Sequence, residues 1–185
     1  TGSDPGNTRY SALDQINTTN IAQLQVAWTY HTGDLPPNGR GEIQATPIVV
    51  NGVLYTTTPA LAVIALRAEQ GTLIWRFDPR RTHPSLRSGQ AHARTDLTHV
   101  NRGVVYWADH DDRRIFFTAG RRLYALNAKN GQLVESFGDS GSIDLAAGLS
   151  RDIGDAYLVA TSPGGIYKDL LANYNTSIAV WVGMI

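Results

Sequence analysis

Short apolar runs separated by polar turns dominate the middle of the chain. Residues 63–73 and 123–133 align without a gap, so that Ala, Leu, Ala, Gly and Leu recur sixty positions apart, and Phe77 then falls on Phe137. Each copy has an extended apolar run, a polar turn that ends at a glycine, and a second apolar run, which is the pattern of a β-hairpin. The glycine suits such a turn because it adopts positive φ without a steric penalty. The pattern predicts hairpins over 63–77 and 123–137.

Two further extended segments precede each predicted hairpin. They cover 47–50 and 52–58 before the first hairpin, and 103–107 and 114–118 before the second. Each repeat therefore contains about four short strands. A four-stranded antiparallel unit cannot cover both of its own faces and must stack on its neighbours, as the blades of a β-propeller do. Two similar hairpins also occur in β-sandwiches, so the repeat alone leaves that alternative open.

Partial units at both ends fit the same scheme. Residues 26–30 resemble the outer strand at 73–77, and the segment from Ser162 to Leu171 resembles the start of the first repeat. The predicted fold class is therefore all-β, a partial β-propeller with about two full four-stranded blades plus parts of the flanking blades. We predict one incomplete domain over 1–185, divided into a lead-in and outer strand (1–34), two blades (42–79 and 100–138), the start of a further blade (157–171) and a divergent tail (172–185). A propeller ring needs about four to eight blades, so one copy of this chain does not close it.

Composition agrees with a β protein and excludes several classes of function. The 18 glycines and 8 prolines favour short strands joined by turns. Lys plus Arg equals Asp plus Glu at 16 each, so no general electrostatic attraction to nucleic acid or to an anionic membrane is expected. No stretch approaches the roughly 18 apolar residues of a membrane span. The absence of cysteine removes disulfides, thiolate nucleophiles and Cys-ligated metals.

The segment 65–75 resembles the tryptophan-docking repeat of the PQQ-dependent (quinoprotein) alcohol and glucose dehydrogenases, where PQQ is pyrroloquinoline quinone. In that family the tryptophan, here Trp75, packs between adjacent blades, whereas the second copy of the repeat has Glu135 at this place. Further motifs of the N-terminal part of these enzymes follow in the family's order, at 8–11, 16–34, 45–52, 101–107 and 161–170. The resemblance covers about residues 5–171 and is greater to the glucose and polyol type than to the methanol type. Beyond Leu171 the sequence is not expected to continue the strand pattern.

The resemblance implies that PQQ binds in the central channel and that three residues of this chain contact it. Arg102, in the motif Asn-Arg-Gly, matches an arginine that bonds to the cofactor's oxygens, and the fork of donors on a guanidinium suits planar carboxylate and quinone groups. The alternative is a surface arginine at the start of a strand. Gln44 stands where the family usually has a glutamate at the cofactor's carboxylate edge, and its amide can still donate a hydrogen bond. Thr161 matches a hydroxyl near the cofactor in some members, with a simple strand residue as the alternative.

The resemblance also implies a calcium ion that acts as a Lewis acid and an aspartate that accepts the substrate's proton. In the family these groups come from later blades, so no catalytic or metal-binding residue is expected in this chain. The acidic and histidine residues at 109–112 are predicted to form a solvated turn. Methanol-oxidising relatives have adjacent cysteines where Asp96 and Leu97 stand here, and His99 is a candidate to cover the cofactor, with an exposed loop histidine as the alternative.

The predicted function is that of the N-terminal portion of a PQQ-dependent dehydrogenase. The whole enzyme would oxidise an alcohol, sugar or polyol and pass electrons to a quinone or cytochrome, by resemblance in the periplasm. The chain alone is expected to be inactive and prone to association, because an open set of blades exposes sheet faces and edges. The alternative is a non-catalytic propeller scaffold of the outer-membrane assembly lipoprotein type. Arg102 distinguishes the two hypotheses, since a scaffold has no need of it.

Overall fold

The computed structural model describes residues 12–35, 41–82, 100–147, 159–175 and 178–183. The first sheet, blade 1, contains four antiparallel strands in chain order: β1 (Ile48–Val50), β2 (Val53–Thr57), β3 (Val63–Arg67) and β4 (Leu73–Phe77). The helical segments in the described ranges are a 3-10 turn at Ile21–Gln23 and the short helix α1 (Pro79–Thr82). Blade 1 follows the predicted strands closely because its turns are short and each strand pairs with its neighbour in the chain.

The second sheet, blade 2, repeats this meander. Its strands are β5 (Val105–Asp109), β6 (Asp112–Ala119), β7 (Arg122–Asn127) and β8 (Ser142–Asp144), again in chain order. A third sheet holds β9 (Gly165–Tyr167), β10 (Leu170–Asn175) and β11 (Ile178–Gly183), with β10 in the centre. The prediction of an all-β partial propeller is confirmed by these antiparallel sheets.

Both faces of blade 2 are buried. Successive residues of a strand point to opposite sides of the sheet, and the consecutive residues 114–119 of β6 are all buried. Ile115 and Phe117 of β6 belong to one apolar cluster together with Trp75 and Phe77 of blade 1. Phe116, which lies between them, belongs to a second cluster that contains Leu171 of the third sheet and the buried Phe137, Leu145 and Ala160. The two clusters stack the three sheets side by side, which is the packing of propeller blades.

The prediction of the second hairpin is wrong for its second strand. Residues 132–137 form no strand apart from one bridge between Leu126 and Leu133. The Phe137 amide donates to the Val134 carbonyl at 2.8 Å, so the chain turns there and buries Phe137 against Phe116, with the ring centres 5.4 Å apart. The fourth strand of blade 2 is β8 instead, which lies beyond residue 138, where the blade was expected to end.

The expectation that the strand pattern stops at Leu171 is also wrong. β10 continues to Asn175 and pairs along its whole length with β11 of the tail, from Leu170 opposite Gly183 to Asn175 opposite Ile178. Main-chain hydrogen bonds make this ladder, and an apolar run with β-branched residues pairs in it without a family motif. The third sheet therefore extends through the segment in which the sequence diverges.

Two tryptophans dock onto the blade that follows them. The Trp75 indole N–H donates to the Ala128 carbonyl at 2.9 Å, which places the ring between blades 1 and 2 and confirms the tryptophan-docking prediction. Trp28 makes the same bond to the Ala68 carbonyl of blade 1, at 3.0 Å. However, residues 24–35 contain no strand, so the prediction of an outer strand at 26–30 is wrong. An extended segment becomes a strand only when a neighbouring strand supplies hydrogen bonds, and among the described residues none pairs with this one.

Candidate cofactor-binding site

Three segments that lead into successive sheets lie side by side. The Thr46 amide donates to the Arg102 carbonyl at 3.1 Å, and the Arg102 amide donates to the Thr161 carbonyl at 2.8 Å. Thr46, Arg102 and Thr161 therefore lie in neighbouring segments, a few residues ahead of β1, β5 and β9. We call these three residues, linked by two main-chain hydrogen bonds, the main-chain line. The predicted residues Arg102 and Thr161 both belong to it, and Gln44 lies two residues upstream of Thr46.

Gly103 allows the first two segments to approach each other. Its φ is +134°, and a Cβ atom at this position would lie 2.9 Å from the carbonyl oxygen of Thr46. A parallel bridge joins these two residues. Only glycine tolerates both the backbone conformation and the contact, which explains the glycine in the Asn-Arg-Gly motif.

The Arg102 side chain is exposed while its main chain is held on both sides. Within the described part of the chain the guanidinium has no carboxylate partner, so its five N–H donors are available to a ligand. A residue whose backbone is fixed and whose charged group is unpaired is suited to binding an anion at that place.

The other two predicted residues differ in their surroundings. The exposed Gln44 amide donates to a carboxylate oxygen of Glu42 at 2.5 Å. This bond uses one of its two N–H donors and places beside Gln44 a carboxylate for which the sequence suggested no role. Thr161 is partly buried. Together the site offers a guanidinium, an amide and a hydroxyl, a donor set that fits a planar group carrying carboxylates and carbonyl oxygens.

Asn101 belongs to this site although the sequence suggested no role for it. It is 4% exposed and accepts the Gly103 amide at 2.7 Å. The motif placed it next to Arg102, but only the structure shows that its side chain is buried while that of Arg102 is exposed.

Other candidate residues contribute less to the site. His110 is exposed and lies 2.7 Å from an oxygen of Asp109, and Asp112 pairs with Arg114. Across the described ranges no three His, Cys, Asp or Glu residues are grouped as metal ligands. Asp96, Leu97 and His99 lie outside the described residues, as does the predicted motif at 8–11. None of the described helices is long and apolar enough to cross a bilayer.

Stacked antiparallel sheets with tryptophans docked onto the following sheet define a β-propeller of the tryptophan-docking class. The chain belongs to the PQQ-dependent dehydrogenase family, because the family model described as "Glucose/ethanol/alcohol dehydrogenase, beta-propeller domain" matches residues 1–178. The match extends beyond Leu171, where the sequence resemblance was expected to stop. Family membership favours the dehydrogenase hypothesis over the scaffold alternative.

The relatives are quinoprotein dehydrogenases, of which this chain spans a small part. It is 43% identical over 128 residues to the dehydrogenase subunit of alcohol dehydrogenase (quinone) from Gluconobacter oxydans (strain 621H), covering 69% of this chain and 15% of the relative. It is 35% identical over 158 residues to quinoprotein glucose dehydrogenase from Escherichia coli (strain K12), covering 76% and 18%. The crystal structure of quinohemoprotein alcohol dehydrogenase from Comamonas testosteroni superposes with a TM-score of 0.65 at 27% identity, covering 92% of this chain and 22% of that one.

Proposed function

We propose that this chain forms the first blades of a dehydrogenase that oxidises an alcohol, sugar or polyol with PQQ and passes the electrons to a quinone or cytochrome. Membership of the dehydrogenase family supports the reaction class. The observation that carries the assignment to this site is the main-chain line from Thr46 through Arg102 to Thr161, which holds at the start of blade 2 a guanidinium with no carboxylate partner among the described residues. The proposal includes a periplasmic location, which rests on the family resemblance alone.

Arg102, Gln44 and Thr161 hold the cofactor in this proposal. The Arg102 guanidinium donates to the cofactor's anionic oxygens and neutralises their charge, while the Gln44 amide and the Thr161 hydroxyl supply neutral hydrogen bonds. PQQ, once bound, accepts the electrons of the oxidation. This chain's part is therefore to bind and orient the cofactor.

The calcium ion and the proton-accepting aspartate are assigned to other blades of the ring. The described residues contain no group of three His, Cys, Asp or Glu side chains that could hold a metal ion, whereas calcium takes about six to eight oxygen ligands. We therefore propose that the 185-residue chain does not turn over substrate by itself.

A PQQ titration of the protein at its native length, freed of cofactor, tests the site. Arg102→Ala is expected to weaken binding by roughly 10- to 100-fold, because a charge-assisted hydrogen bond is lost. Quenching of protein fluorescence by PQQ gives the dissociation constant. Turnover with PQQ and calcium is measured for the same protein and for the 185-residue chain, which is expected to give none.

Arg113→Ala is the matched control. Arg113 is also exposed and also lies in blade 2, but at the far end of the β5–β6 pair, where Asp109 faces Asp112. This variant is expected to bind PQQ as the unmodified protein does. Unchanged binding by Arg102→Ala would contradict the assigned site, and absence of PQQ binding by the unmodified protein would contradict the proposed function.

A further inference from the structure

Asn101 is a buried polar residue directly before the exposed Arg102, and its side chain makes hydrogen bonds at both ends. Its Oδ1 atom accepts the Gly103 amide at 2.7 Å and the Thr57 hydroxyl at 3.3 Å. Its Nδ2 atom donates to the Thr118 carbonyl at 2.8 Å and approaches the Thr118 hydroxyl at 3.4 Å. A buried amide is costly unless both ends are paired, so these bonds define one orientation of the side chain.

The hydrogen bonds of Asn101 connect blades 1 and 2, and Thr118 extends this network to the segment that leads into the third sheet. Thr57 lies at the end of β2 in blade 1, and Thr118 lies in β6 of blade 2. The Thr118 hydroxyl donates to the carbonyl of Ala160 at 2.6 Å, and Ala160 directly precedes Thr161. Both threonines are buried, at 3% and 2% exposed. The segment that carries Arg102 is therefore tied to its neighbours by side chains as well as by the two main-chain bonds of Arg102.

The bond from the Gly103 amide to Asn101 closes a turn around Arg102. A side-chain oxygen that accepts the amide two residues later forms an Asx turn, which fixes the backbone of the residue between them. That residue is Arg102, so the direction in which its side chain leaves the backbone is set by Asn101. Without the turn, the backbone at Arg102 would keep only its two main-chain bonds, and the freedom that it gained would have to be lost again when the ligand binds, at the expense of affinity.

We infer that Asn101 is a positioning residue for Arg102 and acts on the cofactor only through it. The inference rests on the proposed function, because it takes Arg102 as a PQQ-binding group. A residue that only stabilised the fold would affect cofactor binding equally whether or not Arg102 is present. A positioning residue loses its effect once Arg102 is removed, and this difference can be measured.

A double-mutant cycle in the native-length protein tests the inference. The dissociation constant of PQQ is measured for the unmodified protein, Asn101→Ala, Arg102→Ala and the double variant. Asn101→Ala is expected to weaken binding roughly tenfold when Arg102 is present and less than about twofold when it is absent. Asn127→Ala is the matched control. The Asn127 side chain also accepts a hydrogen bond from the amide two residues later, that of Lys129 at 2.9 Å, but it lies at the last residue of β7. It is expected to leave PQQ binding unchanged.

Three results separate the outcomes. If the unmodified protein binds no PQQ, the proposed function fails and the role of Asn101 fails with it. The positioning role alone is wrong if Arg102→Ala weakens binding but Asn101→Ala does not. It is also wrong if Asn101→Ala weakens binding equally with Arg102 present and with Arg102 replaced by alanine. If Asn101→Ala does not fold, Thr57→Val decides, since it keeps the shape of a buried side chain and removes one bond to Asn101. It is expected to weaken binding about twofold, only when Arg102 is present, and no change would overturn the inference.

Discussion

The junctions made by Trp75 and Trp28 have the same contacts but different surroundings. Each indole N–H donates to an alanine carbonyl, at 2.9 Å for Trp75 and 3.0 Å for Trp28. Each ring lies against a glycine at positive φ, Gly131 and Gly71, where a Cβ atom would come within 2.4 Å of the ring. Trp75, however, is part of β4, pairs with Ala65 and is 7% exposed, whereas Trp28 lies in a segment without a strand and is only partly buried.

The difference shows that docking does not depend on the strand that carries the tryptophan. Side chains hold the Trp28 segment on blade 1 instead. The Asp34 carboxylate, 8% exposed, pairs with Arg76 at 2.6 Å and accepts the Thr58 hydroxyl at 2.5 Å. Arg76 also donates to the Thr32 carbonyl at 3.0 Å. Two anchors, one aromatic and one ionic, therefore keep this segment in place without a ladder of main-chain bonds.

The equivalent position in blade 2 lacks the docking contact. Glu135 stands sixty residues after Trp75, is exposed, and lies in the turn that precedes β8. A carboxylate cannot donate to an alanine carbonyl and loses solvation if buried. The chain turns at this position, and a later segment provides the outer strand.

The largest expected effect is that of Trp75→Ala. It removes a buried ring and a hydrogen bond between blades, so we expect a loss of about 3–5 kcal/mol in the free energy of unfolding. Trp28→Ala is expected to cost about half as much, because that ring is less buried. Urea unfolding of the native-length protein, followed by circular dichroism, measures both. Equal losses would show that burial within a strand adds nothing to the junction.

A smaller loss is expected when the glycine beneath the ring is replaced. In Gly131→Ala the added methyl group would lie 2.4 Å from the Trp75 ring at a φ of +71°, so the ring must move and the backbone is strained. We expect a cost of about 2–3 kcal/mol in the same unfolding experiment. Gly52→Ala is the control, because φ is +76° there but no atom lies within 4 Å of the added methyl. If the two variants lose the same stability, the contact with the ring is not what requires glycine at 131.

The smallest effect concerns Tyr55, which donates to the same Ala128 carbonyl as Trp75, at 3.2 Å. Burial and the neighbouring Tyr106 raise the pKa of Tyr55 above its ordinary value of 10.0, with Arg113 acting in the opposite sense. The neutral phenol is therefore favoured in the folded state. Its contribution to stability is complete below about pH 10 and decreases as the pH rises through the folded-state pKa.

Tyr55→Phe is expected to cost about 1 kcal/mol at neutral pH, because one hydrogen bond is lost. It should also reduce the loss of stability above about pH 10. Urea midpoints from pH 7 to pH 11 test both expectations. Identical alkaline slopes for the variant and the unmodified protein would show that Tyr55 does not contribute to the pH dependence.

Much of the fold followed from local patterns in the sequence. Short apolar runs separated by turns were sufficient to predict the strands of blade 1, since each of these pairs with its neighbour in the chain. The repeat of sixty residues indicated stacked blades, and the motif around Trp75 indicated how they join. Arg102 and Thr161 could be named as candidates from the resemblance, because each lies in a motif of the family just before a predicted strand.

Only the tertiary structure decided the features that depend on distant partners. β8 forms the outer strand of blade 2 because Phe137 is buried next to Phe116, a contact that periodicity does not report. Residues 26–30 have the pattern of a strand but no neighbour among the described residues to pair with. Asn101 is an ordinary polar residue in the sequence, and its burial depends on Thr57 and Thr118, which are 44 and 17 residues away. Sequence patterns record which way a side chain points, whereas the partners that satisfy its hydrogen bonds are determined by the packing of one blade on the next.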